Sequence, residues 1–274
     1  VPFDLGKTVR LTAQCRDAGG TLTTASAAVL TITQPDGTTA APAVPAPGSA
    51  GEYVVDWLPT MAGLHQLRWT FTTPSDAYTD ALDVRPAQPL TMFSLRDAKR
   101  QVGIPLDVTR EDDELRDEAA SATRAVEFFV GAVVRRTVTS VCQGGGPLLL
   151  VPETPVIAVT AIEPVTSVQQ DVDAGVLVPD PVTGVVHRSD GLGFPPGAYR
   201  LTYTAGRVVV SRNISRAGEL ILQHLWRTRR GGSRTTTGGG EDYLVTEPIP
   251  GLGYAIPNRA LQLLQADAEP EGFA

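Results

Sequence analysis

The stretch Tyr199-Arg-Leu-Thr-Tyr-Thr-Ala-Gly206 reads as a strand that ends on a glycine turn, and the segments after it set the architecture of the second half. Residues 214–230 read as an amphipathic helix with Ala217, Leu220, Ile221, Leu225 and Trp226 on its apolar side, capped by Ser211 or Asn213. Residues 231–256 hold Gly, Thr, Ser and Pro with little periodicity, which makes a loop well beyond the roughly 12–15 residues of an ordinary connection. Such loops serve a function or stay disordered. Ala255-Ile-Pro-Asn-Arg-Ala-Leu-Gln-Leu-Leu264 then closes the pattern as a short helix with Pro257 in its first turn, and 268–274 is a frayed tail. Strand, turn, helix, long loop, helix looks like the order of an assembly module, with helices expected to bundle while a loop reaches a neighbour.

Upstream, residues 137–141, 148–151 and 156–162 read as further strands, with turns at Gly144-Gly-Gly-Pro147 and Asp180-Pro-Val-Thr-Gly184. Before them the period is helical. Ser94-Leu-Arg-Asp97 and Thr109-Arg-Glu-Asp112 both match a capping box, a hydroxyl followed three residues on by an acid. The first predicts a short helix ending near Gly103, the second a long helix to about Gly131. Leu115, Ala119, Ala122, Val126, Phe129 and Val133 step by four and three, so they make one apolar stripe. Glu111, Asp112, Asp113 and Glu114 suit the positive end of that helix's dipole.

Residues 1–86 read as all-β. Val9, Leu11, Ala13 and Cys15 alternate with polar residues, and so do Leu30 and Ile32, then Tyr53, Val55 and Trp57, then Leu67, Trp69 and Phe71. Leu82 and Val84 supply a short last strand. With Gln34-Pro-Asp-Gly37 as a turn and 40–50 as a proline-rich exposed crossover, the pattern is that of a small sandwich. Arg85-Pro-Ala-Gln-Pro89 opens a linker over 87–92, and 93–274 forms the second domain.

The 274 residues favour two domains, and 42% hydrophobic with 19% charged is a globular composition. No apolar run reaches the roughly 20 residues of a membrane span, and the first residues carry no secretory-signal pattern. Residues 1–89 carry 5 basic and 8 acidic side chains, and the remainder 18 and 22. Both halves are acidic, which argues against a broad cationic face for duplex DNA. The two cysteines, Cys15 and Cys142, are too few and too far apart for a disulfide framework or a metal cluster. They read as buried thiols of a reducing compartment.

No catalytic constellation is visible. His65, His187 and His224 fall on a strand, a loop and a helix with no shared spacing, and each reads as structural or solvated. Gly238-Gly-Gly-Glu241 lacks the Gly-Lys-Ser/Thr of a phosphate loop, and Pro147 removes a donor from the other glycine run. The acids Glu111, Asp112 and Asp113 read as a solvated helix start rather than a cation site. No cofactor or metal is expected. Arg227, Arg229, Arg230 and Arg234, where a helix meets the long loop, admit three readings: complements of the helix dipole, ion-pair partners of an adjacent subunit's acidic helix, or DNA contacts. These arginines, with Glu111, Asp112, Asp113 and the loop's Tyr243, are the candidate subunit and partner interface.

Two resemblances extend these readings. Thr33-Gln-Pro-Asp-Gly-Thr38, Gly51-Glu-Tyr-Val-Val-Asp-Trp57 and Ala62-Gly-Leu-His-Gln-Leu-Arg-Trp69 resemble bacterial and phage immunoglobulin-like domains, without the Cys…Trp…Cys of antibodies. Five stretches of the second half, together with Ile256-Pro-Asn-Arg-Ala-Leu-Gln-Leu-Leu264, resemble the phage head–tail connector (adaptor) family. They are Phe93-Ser-Leu-Arg-Asp-Ala-Lys99 with Gly103, Asp112-Asp-Glu-Leu115 with Ala119-Ala-Ser-Ala122, and Pro155-Val-Ile-Ala-Val-Thr-Ala-Ile162. Tyr203-Thr-Ala-Gly206 and Ile214, Ala217 and Ile221-Leu-Gln-His-Leu-Trp226 complete the set. Their order carries the likeness more than any one of them does.

That resemblance implies a mainly α-helical bundle with inserted strands, assembled as a ring of commonly twelve copies in the virion neck. One side of the ring would dock on the portal protein and the other on the next neck or tail-completion protein, with DNA passing through the lumen without sequence-specific binding. The immunoglobulin-like domain and the length of loop 231–256 depart from the minimal family; the first is expected to decorate the outside and the second to reach a neighbour. Two other readings stay open. One is a binding module whose immunoglobulin-like domain recognises a host-surface glycan or protein, which an exposed aromatic platform would favour. The other is an enzyme, which would need converging titratable groups.

Overall fold

A computed structural model describes residues 3–88, 91–166, 170–229 and 256–267. Most of the regular structure among the described residues is β-strand, with four α-helices, and the chain divides into two compact units, Val1–Pro89 and Leu90–Ala274.

In the first unit a five-stranded sheet is ordered β1 (Phe3–Asp4), β7 (Asp76–Arg85), β6 (Gly63–Thr72), β3 (Ala27–Thr33), β4 (Thr39–Ala40). A second sheet pairs β2 (Val9–Gln14) with β5 (Glu52–Trp57). Strict alternation sends Val9, Leu11 and Ala13 inward from β2, Tyr53 and Val55 from β5, Leu30 and Ile32 from β3, and Leu67, Trp69 and Phe71 from β6. Each large side chain removed from water contributes about 1.5–3 kcal/mol, so this one core holds both sheets together. The Gln34–Gly37 turn forms because Gly37 takes φ 85° and Asp36 Oδ1 accepts from the Thr38 amide at 2.9 Å. The last strand is not short: β7 runs ten residues, although only Leu82 and Val84 of it are buried. Periodicity alone missed its exposed first half.

The second unit has two cores. Four helices, α1 (Leu95–Val102), α2 (Asp112–Val130), α3 (Arg212–Arg229) and α4 (Asn258–Gln265), bury Leu115, Ala122, Val126, Ile214, Ile221, Leu222, Ile256 and Leu264 among others. Two three-stranded sheets share the other core. One is ordered β10 (Val156–Pro164), β13 (Ala198–Ala205), β8 (Arg136–Gln143), and the other β11 (Leu177–Pro179), β12 (Val185–Arg188), β9 (Leu148–Leu150). The strands are therefore more than excursions from a mainly helical bundle: Tyr199, Leu201 and Tyr203 of β13 are completely buried in a centre of their own. The hairpin of β11 and β12 around Asp180–Gly184 was legible in the sequence only as its turn.

Helix ends follow local chemistry where a cap is available. Ser94 Oγ accepts from the Asp97 amide at 3.1 Å, and Gly103 ends α1 at φ 78°. Ser211 Oγ, not Asn213, accepts from the Ile214 amide at the start of α3 (3.3 Å), while Pro257 sits just ahead of α4 rather than inside its first turn. The Thr109 capping box does not form. α2 starts at Asp112 behind Glu111, which makes no side-chain cap hydrogen bond, because Asp112 is taken by a buried cation. Val133 lies beyond the end of that helix yet stays in the helical core, and Phe129 and Leu225 are only partly buried. At the supposed linker, Thr123 Oγ1 of α2 accepts from the Met92 amide at 3.1 Å, so residue 92 is already docked.

Candidate interface elements and the joint between helices and strands

The second unit passes from helices to strands at 131–136 and back at 205–211, and both crossings are clamped at one joint. Glu127, its side chain 6% exposed, points off the last turn of α2. Its Oε1 accepts from the amides of Val133 (3.0 Å) and Val134 (3.1 Å) and from Arg136 Nη1 (2.8 Å). Arg136 also reaches Glu153 Oε2 through Nε at 2.7 Å. Burial works against the Arg136 charge, but the hydrogen bonds to Glu127 and Glu153 outweigh it and hold its pKa above the ordinary value. One carboxylate thus satisfies two backbone donors of the segment that leaves α2, and fixes where β8 begins.

The return crossing uses glycine and arginine. Gly206 takes φ 124°, and a Cβ there would stand 2.7 Å from Arg135 Cα, so two stretches of backbone touch. Its amide donates to Pro155 O at 2.9 Å, and Ala132 N donates to Thr154 O at 2.6 Å. Arg207 donates through its amide to Val133 O (3.2 Å) and through Nη2 to Val130 O (2.7 Å), capping the C-terminal end of α2. Tyr203 OH accepts from the Glu153 amide at 3.2 Å, and burial raises that phenol's pKa.

Lys99 is the second feature that sequence reasoning missed. Only 4% exposed, it places Nζ 2.6 Å from Asp112 Oδ1 as an ion pair, and donates to the carbonyls of Val108 (2.7 Å) and Leu106 (3.3 Å). The α1–α2 connection is wrapped around a buried ammonium. The only local signal was a lysine on the apolar side of a short helix.

The candidate interface residues divide three ways. Asp112 is paired with Lys99, and Asp113 with Arg116 at 3.5 Å. Arg229 reaches acids of α2 in its own chain, Glu118 at 3.1 Å and Glu114 at 4.0 Å, while Arg227 is exposed on the last turn of α3. Arg230, Arg234 and Tyr243 lie outside the described residues, as does loop 231–256 up to Ile256, which is buried in the helical core. Exposed apolar side chains instead flank the joint: Phe128 (67%), Val208 (68%) and Val209 (81%).

The histidines do not converge. His65 is fully buried; its Nδ1 lies 3.1 Å from Gly63 O, so Nδ1 carries the proton and donates, and the ring stands edge-on to Trp57. His187 is on β12, and burial followed by Arg227 lowers the pKa of His224. Cys15 and Cys142 are free, buried thiols whose pKa values burial raises. Among the described residues no group of three metal-ligating side chains comes together, and no helix is long and apolar enough to cross a membrane.

No family model and no curated protein matches the chain. Among solved structures it is similar to the filamin domain of Lin-41, at 24% identity, covering 31% of this chain and 82% of that one with a TM-score of 0.26.

Proposed function

We propose that the chain is a structural neck protein of a phage virion, a ring-forming head–tail connector with an immunoglobulin-like domain at its N-terminal end. The observation that supports this reading is how the connector-like stretches meet. Phe93 packs so closely on α3 that a Cβ at Gly218 would stand 2.5 Å from its ring. Gly206 of Tyr203-Thr-Ala-Gly206 bonds Pro155, the first residue of Pro155-Val-Ile-Ala. Ile256, Ala260 and Leu264 of the closing stretch lie in the same core as Leu115, Ala119 and Ile214. Residues far apart in sequence are therefore mutual packing partners, which is what a shared scaffold requires.

In this reading Phe128, Val208 and Val209 are subunit contacts, since apolar side chains this exposed next to a rigid joint suit burial against a second copy. The partners are the same chain in a ring, the portal protein and the next neck protein, and the acidic chain lets DNA slide through the lumen. A surface-recognition role for the first unit gains little, because Tyr53, Trp69 and Phe71 are core residues rather than a platform. Electron microscopy of virions containing this chain is the test. A symmetric ring between portal and tail supports the reading, whereas absence from the neck, or a place at a fibre tip, overturns it.

A further inference from the structure

Among the described residues β7 is an edge strand for most of its length, because β1 covers only Val84 and Arg85. Arg85 O accepts from Leu5 N on that side. Amide and carbonyl of one residue point the same way and alternate along a strand, so Ala77, Thr79, Ala81 and Asp83 present theirs to the open edge. Two of these donors are already taken. Asp76 Oδ1 accepts from the Ala77 amide and Asp80 Oδ1 from the Ala81 amide, each at 2.8 Å. The second oxygen of Asp80 accepts from Tyr78 OH at 3.0 Å, and the second oxygen of Asp76 from the Arg16 amide at 2.8 Å. Asp80 stands opposite Leu67, on the side of β7 that carries Leu82 and Val84 inward, where the alternation calls for an apolar residue.

We propose that Asp76 and Asp80 are edge guards that stop β7 from pairing with the β7 of a second copy of this chain. An incoming strand needs the amides of Ala77 and Ala81, and it would have to desolvate the carboxylates that hold them. In a β7–β7 pairing it would also bring the same acids against each other. Inward-facing charge on an exposed edge is a known means of preventing sheet extension. The inference does not depend on the connector reading, but it has a use there: a ring holds many copies at high local concentration, and its assembly must run through other surfaces.

The test uses the full chain with Thr79→Cys as a reporter at the edge, the native thiols being buried. Wild-type background should give no disulfide-linked dimer on mild oxidation. Asp80→Val and, as a gentler variant, Asp80→Thr should each give one, with amide exchange over 77–83 slowed by at least about tenfold. Adding Ala81→Pro, which deletes the outward donor but is tolerated on an edge, should abolish both effects. The proposal fails if folded Asp80 variants show neither effect, or if the dimer survives Ala81→Pro. It fails equally if both Asp80 variants lose native circular dichroism, since Asp80 would then serve folding rather than guard the edge. Ring assembly, or its lack, leaves these local readouts unchanged.

Discussion

The sandwich-like first unit and the two-core second unit close their interiors by different means. In the first, apolar side chains alternate down β2, β3, β5 and β6 and one core forms with few polar ties inside it; Tyr53 OH accepting from the Ala25 amide at 2.9 Å is an exception. In the second, helices and strands each bury their own apolar face, and polar clamps join the two. Hydrophobic alternation is forgiving, since one side chain of about the right size replaces another. A clamp of one carboxylate on three donors is not, because the Val133 and Val134 amides would lose their acceptor. The second unit should therefore be the more sensitive to single changes that keep volume, and the first to changes that remove it.

The largest expected effect is at Gly206. Gly206→Val combines a forbidden φ with a backbone overlap and should cost about 3–5 kcal/mol, read as a fall in the denaturant midpoint of the second unit. Retention of the wild-type midpoint would mean that the two crossings are not held together there. Next, Glu127→Ala should cost about 2–4 kcal/mol by stranding two amides and removing one of the two carboxylates that hold Arg136, with Glu127→Gln recovering part of it. Equal loss in both variants would show that charge, not acceptor geometry, makes the clamp.

Lys99→Met keeps the length of the side chain but leaves Asp112 and two carbonyls unpaired, for about 1–3 kcal/mol and faster amide exchange across 104–111. Tyr53→Phe in the first unit should cost only about 1 kcal/mol, and a loss as large as that of Glu127→Ala would erase the contrast between the units. The smallest effect belongs to Arg10 and Asp56. The hydrogen bond from Arg10 holds the Asp56 carboxyl below the usual range, so any contribution exists at neutral pH and fades as pH falls through that range. Both groups are exposed and screened by salt, and Arg10→Ala should leave the melting temperature unchanged.

Regions differed in how much of their structure was legible from sequence. β2, β5 and β6 announced themselves because one face of each meets a core, which writes a period of two into the sequence. β7 did so only through Leu82 and Val84, because its first half meets none and carries Asp76 and Asp80 instead. The candidate interface mixed both cases. The acids of α2 were visible as a helix start, but nothing local told that Asp112 serves Lys99 or that Glu118 serves Arg229 of the same chain.

By itself, then, the sequence determined the alternation of the first unit, the stripe of α2, the Ser94 cap and the glycine that ends α1. Each depends on residues within a turn or a strand of one another, where period and cap chemistry act directly. Only the tertiary structure decided that strands would own a separate core, that Gly206 must be glycine because Arg135 lies against it, and that Glu127 would hold the start of β8. Those outcomes depend on which distant segments come within a few ångströms, and partners separated by tens of residues leave no periodic trace in a single chain.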